Sequence, residues 1–380
     1  MKKLLILGAG IMQVPVIQKA KSMGYYTIVT DYASDAPGFK YADKSYIVST
    51  IDKDAVLSVA KEESIDGILT TSDYPVNVVA YVSSIMGLTS MSKEVARICT
   101  NKFLQRDIFS KNGINTPFFK LCSADEKLDE FVDFPYIVKP CDSSASRGVK
   151  KVSNINELKE AFEDAFKYSK SGKVLIESFI EGKEYSVETL TQKGITSIIS
   201  LTEKFTKGEE CGYFVEDIHL EPARLSESDK EKIESEVLKA INAIGLNNCP
   251  SHTEVKLNSQ GAFIIEMACR LGGDYITSDL VPLSTGVDML ENLIRLSLNE
   301  PIDTDKKICK VSMIQFINNE NYENCLDYIK KNEHSIVRFE IEPKHNRPIK
   351  SSLDRMGYII VQLNNHQEFN DLTNTLNGKK

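Results

Sequence analysis

Apolar residues come in short runs along the first 90 positions, and the segments between those runs have helical periodicity. Leu4–Leu7, Tyr26–Thr30 and Gly67–Thr70 read as strands, and the stretches near 12–23 and 53–63 read as helices. That alternation predicts a parallel sheet with right-handed crossovers, as in a Rossmann-like domain. Further on, a helix is expected at about 101–112, with Asn101 as its N-cap and Gly113 as its stop. Pro135–Pro140 reads as a strand ended by proline, and 142–148 as a flexible hairpin tip. A helix over 155–168 and strands over 173–180 and 183–190 follow. Ser228-Asp229-Lys230-Glu231 reads as a capping box. It opens a helix whose Ile233, Val237, Ile241 and Ile244 share one face and which Gly245 ends. Strands His252–Leu257 and Ala262–Ala268 flank the turn Asn258–Gly261, and from about 301 the pattern is that of a small α/β unit. There is no internal repeat and no low-complexity segment.

A chain of 380 residues is too long for one core and suits two or three units. Hydrophobic residues at 42% and charged residues at 26% fit a soluble globular chain and exclude disorder. No apolar run approaches the roughly 18 residues that span a bilayer. The start, Met1–Gly8, runs into a glycine turn before a signal-peptide core develops, so no membrane partner is expected and the location expected is cytoplasmic. The eight cysteines lack any Cys-x-x-Cys pair and are expected to be reduced, mostly buried thiols. A net charge of −8 argues against a nucleic-acid partner, although a few converging cations could still hold an anionic nucleotide. Gly8-Ala9-Gly10 and Asp31 sit where a dinucleotide fingerprint would place them, but Gln13 replaces the third glycine. The reading preferred is a tight turn that binds no dinucleotide, and an NAD-dependent oxidoreductase is kept as a third alternative.

The strongest local signal is a pair of acids. Glu254 and Glu266 lie on adjacent expected strands joined by a short turn, and strand alternation lets both carboxylates point to one face. Brought together they repel unless a cation sits between them, and magnesium bridging nucleotide phosphates supplies one; the plain alternative is two solvated acids on an exposed sheet. Arg270, four residues after Glu266, adds a planar fork of donors suited to phosphoryl oxygens. Lys139 ends an apolar strand and needs an anionic partner there. Ser143, Ser144, Ser146 and Gly148 follow with hydroxyls and backbone N–H groups, though a surface lysine and a solvated turn would look the same alone.

Taken in order, Lys102, Val138-Lys139-Pro140 with its serine-rich loop, Glu177-Ser178-Phe179-Ile180-Glu181-Gly182-Lys183-Glu184-Tyr185-Ser186-Val187-Glu188, and then Glu254, Glu266 and Arg270 resemble the ATP-grasp superfamily. The resemblance is to its carboxylate–amine ligases, such as bacterial L-amino-acid ligases and carnosine synthase, and it is strongest over about 100–300. It implies an α/β ATP-grasp fold: a Rossmann-like domain over 1–100, an ATP-grasp domain over 101–300 with a lid at about 115–185, and a C-terminal α/β unit over 301–380 that completes the ATP-grasp region. It implies ATP and Mg2+, with Lys102 and Lys139 on the phosphates, the loop 142–148 as lid, Glu177, Phe179 and Ile180 at the adenine, and Glu184 at the ribose. Glu254 and Glu266 would hold the metal, and Arg270 with Lys139 would be catalytic. Gly272-Gly273-Asp274 resembles the substrate-carboxylate loop, with His252 and Lys204 facing substrate and His219 a weaker candidate. For His252 a hydrogen-bonded structural role is the alternative.

Two positions depart from the family pattern: Ala268 stands where a second metal ligand is usual, and Ala145 where the lid usually has glycine. The activity implied is amide or peptide formation through an acyl phosphate, releasing ADP and phosphate. The partners implied are small-molecule carboxylates and amines, amino acids above all, and the resemblance suggests a homodimer. The alternatives are a bicarbonate-activating enzyme with the same ATP site and a nucleotide-binding protein without turnover.

Overall fold

Three sheets organise the molecule in the computed structural model, which describes residues 1–143, 147–208, 213–345 and 351–378. The first carries β1 (Lys3–Leu7), β2 (Tyr26–Asp31), β3 (Lys44–Ile47) and β4 (Gly67–Leu69), all parallel, in the order β3-β2-β1-β4. Its central strand is buried on both faces, which is why β1 is continuously apolar instead of alternating. Helices α1 (Val14–Ser22) and α2 (Lys53–Glu63) make the β1–β2 and β3–β4 crossovers, and α3 (Val76–Met86) follows β4. The glycine turn after β1 serves itself. Asp31 accepts hydrogen bonds from the N–H groups of Ala9 (2.8 Å) and Ala33 (3.0 Å), and the Gln13 amide donates to Thr71 and Ser72. A Cβ at Gly10 would lie 3.0 Å from Gln13 Oε1, so the glutamine side chain occupies the space above the turn.

Helices α4 (Lys93–Cys99) and α5 (Lys102–Lys111) lead out of this sheet. Asn101 caps α5, its side chain accepting from Leu104 N–H, and Gly113 follows in the left-handed region at φ 66°. The second sheet is small and antiparallel: β5 (Phe119–Cys122), β6 (Tyr136–Pro140), β7 (Lys150–Val152) and β8 (Val174–Ser178), in the order β5-β8-β6-β7. It is covered by α6 (Ile155–Tyr168), whose Leu158, Ala161, Phe162 and Ala165 recur at helical spacing and pack on Tyr136, Val138 and Ile176.

The third sheet has eight antiparallel strands, β13-β12-β9-β10-β11-β14-β16-β15. These are β9 (Lys183–Gln192), β10 (Ile195–Lys207), β11 (Val215–Glu221), β12 (Cys249–Asn258), β13 (Gly261–Ala268), β14 (Val311–Phe316), β15 (Arg338–Ile341) and β16 (Gly357–Leu363). Period-two alternation gives it two chemically opposite faces. Along β9, Tyr185 and Val187 enter the apolar core under α7 (Glu227–Ile244), while Glu184, Ser186 and Glu188 share the other face.

The cap of α7 differs from the sequence expectation. Ser226, not Ser228, is extended (φ −69°, ψ 154°), accepts from Asp229 N–H and donates to the Asp229 carboxylate at 2.9 Å. Asp229 completes the same short motif two residues earlier, so Ser228 is already in the first turn. After α8 (Val281–Thr285) and α9 (Met289–Ser297), the C-terminal strands join the third sheet, because β14 pairs with β11. Helices α10 (Tyr322–Asn332) and α11 (His366–Leu376) cover them. Among the described residues no helix is long and apolar enough to cross a membrane. The seven described cysteines are free thiols, six of them buried and Cys309 exposed.

Candidate active site

A cavity of about 410 Å³ lies on the polar face of the large sheet, between it and the small sheet. Its floor is built by register. Glu254 on β12 and Glu266 on β13 are direct cross-strand partners, so both carboxylates leave the sheet on the same side. Lysines from two distant elements meet them. Lys102, the first residue of α5, puts Nζ 2.7 Å from Glu266 Oε1 and 3.1 Å from the Ser143 carbonyl oxygen. Lys204 on β10 puts Nζ 2.8 Å from both Glu254 and Glu184. Burial opposes the charged form of both lysines, but Glu266 overcomes it for Lys102, and Glu184 and Glu254 hold the Lys204 ammonium well above its ordinary range. Burial likewise works against the Glu254 carboxylate, and Lys204 and His252 together hold it well below the usual range.

The small sheet contributes the roof. Lys139 at the end of β6 reaches the Glu177 carboxylate on β8 at 2.7 Å, and Arg106 on α5 places Nε 2.7 Å from the other oxygen. The Arg106 contact is too bent to be a good hydrogen bond, and Arg106 Nε and Glu177 Oε1 have no other partner. All three side chains are buried. Burial lowers the Lys139 ammonium, Arg106 adds to that, and Glu177 only partly offsets it. Glu177 stays ionised against its own burial because Arg106 and Lys139 flank it. The Glu177 side chain, expected at the adenine, is instead committed inside the roof by Arg106 and Lys139. Phe179 stacks on Phe214 with centroids 6.3 Å apart, and the ammonium of Lys256 lies 4.8 Å from the Phe179 ring. Ile180, Glu184 and Ser143 also line the cavity; Ser144 and Ser146 lie outside the described residues.

Beyond the acids the strand end and loop after β13 carry the remaining groups. Arg270 binds Asp73 of the first sheet through Nε at 2.6 Å and Nη2 at 3.0 Å, and this pairing outweighs the burial of both ions. His252 makes a short contact to Glu188, whose second oxygen accepts the Gly272 N–H at 3.2 Å. Burial lowers the His252 imidazole, but Glu188 raises it further, to about 9. A Cβ at Gly272 would lie 2.7 Å from His252 Nδ1 and 2.9 Å from Glu188 Oε1, so only glycine fits. Gly273 lines the cavity, whereas Gly272 sits behind it. At the far end Arg355 grips Asp274 at 3.0 Å and Glu216 at 2.7 Å, with His219 Nε2 3.9 Å from Asp274. Asp274 and Tyr275 both have positive φ, 49° and 62°, a strained backbone of the kind found at functional loops.

The structure thus gathers Lys102, Lys139, Lys204, Glu254, Glu266 and Arg270 around one cavity. Sequence reasoning missed Asp73, Arg106 and Glu216, and it included Glu188 in a motif without giving it a role. Glu188 had a signal, since it continues the polar alternation of Glu184 and Ser186. Asp73 had none, because its partner is 197 residues away. Two facing carboxylates, with hard oxygen donors, fit a Mg2+ ion that takes its other ligands from phosphates. Among the described residues no group of three or more His, Cys, Asp or Glu could hold a metal, and Ala268 lines the cavity where a further ligand would stand.

The fold is an ATP-grasp fold. Residues 132–279 match the family model of the ATP-grasp domain, so the chain carries an ATP-grasp domain there, and residues 4–86 match that of the PylC-like N-terminal domain. It is similar to the formate-dependent phosphoribosylglycinamide formyltransferase of Sulfurisphaera tokodaii, 26% identical over 261 residues, or 64% of each chain. It is also similar to the D-alanine–D-alanine ligase of Francisella tularensis subsp. novicida, 28% identical over 179 residues, or 47% of this chain and 58% of that one. The chain therefore spans less than two thirds of the length of these curated relatives. In fold it resembles the crystal structure of the L-amino acid ligase from Bacillus licheniformis, with TM-score 0.83, 22% identity and coverage of 100% and 98%.

Proposed function

We propose that the protein is an ATP-dependent carboxylate–amine ligase. The observation that carries this reading is the convergence of four cations, Lys102, Lys139, Lys204 and Arg270, with the facing acids Glu254 and Glu266 on one cavity. Such a set suits a triphosphate and its metal, because each buried cation gains an anionic partner and each acid a cationic one. We place the adenine beside Phe179, Phe214 and Ile180 and the ribose near Glu184. Glu254 and Glu266 would hold Mg2+, which when bound neutralises phosphate charge.

In the first step a substrate carboxylate oxygen attacks the γ-phosphorus in line. An O–P bond forms, the bond to the β-phosphate oxygen breaks and ADP leaves. Charge develops on the transferring oxygens, and Lys139 and Arg270, already fixed by Glu177 and Asp73, stabilise it without reorganising. An amine nitrogen then attacks the acyl carbon, the C–O bond to phosphate breaks, and the nitrogen's proton passes to solvent. The wall beyond Lys204 supports an amine-bearing substrate over bicarbonate. Glu216 and Asp274 present two carboxylates to the cavity there, held by Arg355 and, for Glu216, by Lys204 at 3.8 Å, and their oxygens can accept hydrogen bonds from an ammonium group.

The test is phosphate release from Mg-ATP with paired panels of carboxylates and amines, bicarbonate included, and mass analysis of the products. Release that depends on a carboxylate and an amine together supports the reading. Release driven by bicarbonate alone sinks it.

A further inference from the structure

Tyr74 neighbours Asp73 in the loop between β4 and α3. Its ring is 42% exposed, yet it is the landing point of the small sheet's tip. Arg147, in the β6–β7 connection, donates from Nη2 to the Tyr74 hydroxyl, and its guanidinium lies 5.9 Å from the ring centroid. Lys170, in the turn between α6 and β8, places its ammonium 4.9 Å from the same centroid. The two contacts come from one body. Asp142 accepts from Ser169 Oγ and Lys170 N–H through one oxygen and from Ser171 N–H through the other, at 2.8 to 3.2 Å, which joins the start of the 142–148 loop to the 169–171 turn.

The landing loop is itself rigidly built. Thr70 Oγ1 donates to the Leu7 carbonyl in the core of the first sheet, Ser72 N–H donates back to Thr70 Oγ1, and Gln13 donates to Thr71 and Ser72. Adjacent residues on this loop therefore serve two partners: Asp73 fixes Arg270 through a two-point ion pair, and Tyr74 receives the tip of the unit that carries Lys139. A shift of one is transmitted to the other through a single peptide unit.

Resting on the ligase reading, we propose that Asp73 and Tyr74 form a latch. Docking of the small sheet's tip on Tyr74 is coupled to the alignment of Arg270 by Asp73, so the two cations that act on the phosphates are set together. Asp73 and Tyr74 are positioning residues, and Asp73 acts only through Arg270.

The experiment uses the full-length protein with Mg2+ and the non-hydrolysable analogue AMP-PNP, read by hydrogen exchange of the tip segments, alongside turnover of Mg-ATP. In the parent, AMP-PNP slows exchange over residues 147–152 and 169–174 at least tenfold. Tyr74→Ala, a half-exposed substitution that leaves the fold intact, loses most of that protection and lowers turnover about tenfold. Asp73→Asn keeps AMP-PNP affinity within about threefold while kcat falls tenfold or more, a split that a merely structural role does not produce. The double variant loses less than the product of the single losses, as coupled neighbours do. Full tip protection in Tyr74→Ala with parental AMP-PNP binding overturns the latch and leaves the ligase reading standing. Strictly multiplicative losses also overturn it. A parent that binds no AMP-PNP overturns both.

Discussion

Glu177→Gln tests the roof of the cavity. The carboxylate is 2% exposed and is the anion between Arg106 at 0% and Lys139 at 5%. Glutamine keeps the shape but replaces one oxygen with an N–H donor, leaving two buried cations that repel each other. Removing one partner of a buried ion pair costs about 3–5 kcal/mol, against a total stability of about 5–15. The Arg106 bond to the Ile265 carbonyl survives, which keeps the loss within that range instead of above it. For a unit of 150–250 residues this corresponds to a fall in melting temperature of roughly 6–20 °C. Because nucleotide phosphates would supply Lys139 with a replacement anion, the deficit narrows when Mg-ATP is present. Differential scanning fluorimetry with and without nucleotide reads both effects. A variant that melts within about 2 °C of the parent without nucleotide refutes the claim that Glu177 holds the roof, and a deficit unchanged by Mg-ATP refutes the placement of Lys139 at the phosphates.

Three further outcomes are expected. Arg270→Ala should lower turnover about a hundredfold, the scale for losing one preorganised stabiliser, and a variant within twofold of the parent would remove Arg270 from that role. Gly272→Ala must displace either His252 or Glu188; losing one charge-assisted hydrogen bond there, about 1.5–3 kcal/mol, should cost tenfold or more in turnover, and near-parental kinetics would show that the loop position does not matter. Glu221, on the rim of the polar face, is raised by burial to about 8 from an ordinary 4.5. The folded state then holds a proton that the unfolded state has released, so the parent's stability falls as pH rises between about 4.5 and about 8, by at most about 1.4 kcal/mol per pH unit. Glu221→Gln should remove that slope in urea titrations, and parallel pH profiles for the two proteins would contradict it.

What the sequence determined was local and periodic. The strand and helix alternation of the first sheet, the cap at Asn101, the acid pair on a hairpin and the ordered set of lysines and acids are all visible over short windows, because period and cap chemistry act between near neighbours. Even there, two serine-led motifs competed at 226 and 228, and the sequence reading took the wrong one. The tertiary structure decided the partners. That Glu177 spends its carboxylate on Arg106 and Lys139, that Asp73 in the loop after β4 delivers Arg270, and that Glu188 joins His252 to Gly272 each depend on groups 38 to 197 residues apart. The C-terminal residues read as a small α/β unit completing the ATP-grasp region, but which strand they would join was not legible: the pairing of β14 with β11 makes them part of the large sheet. Periodicity records which face a residue occupies, but a buried charge is settled by whichever opposite charge the fold brings within reach, and no pattern along the chain encodes that encounter.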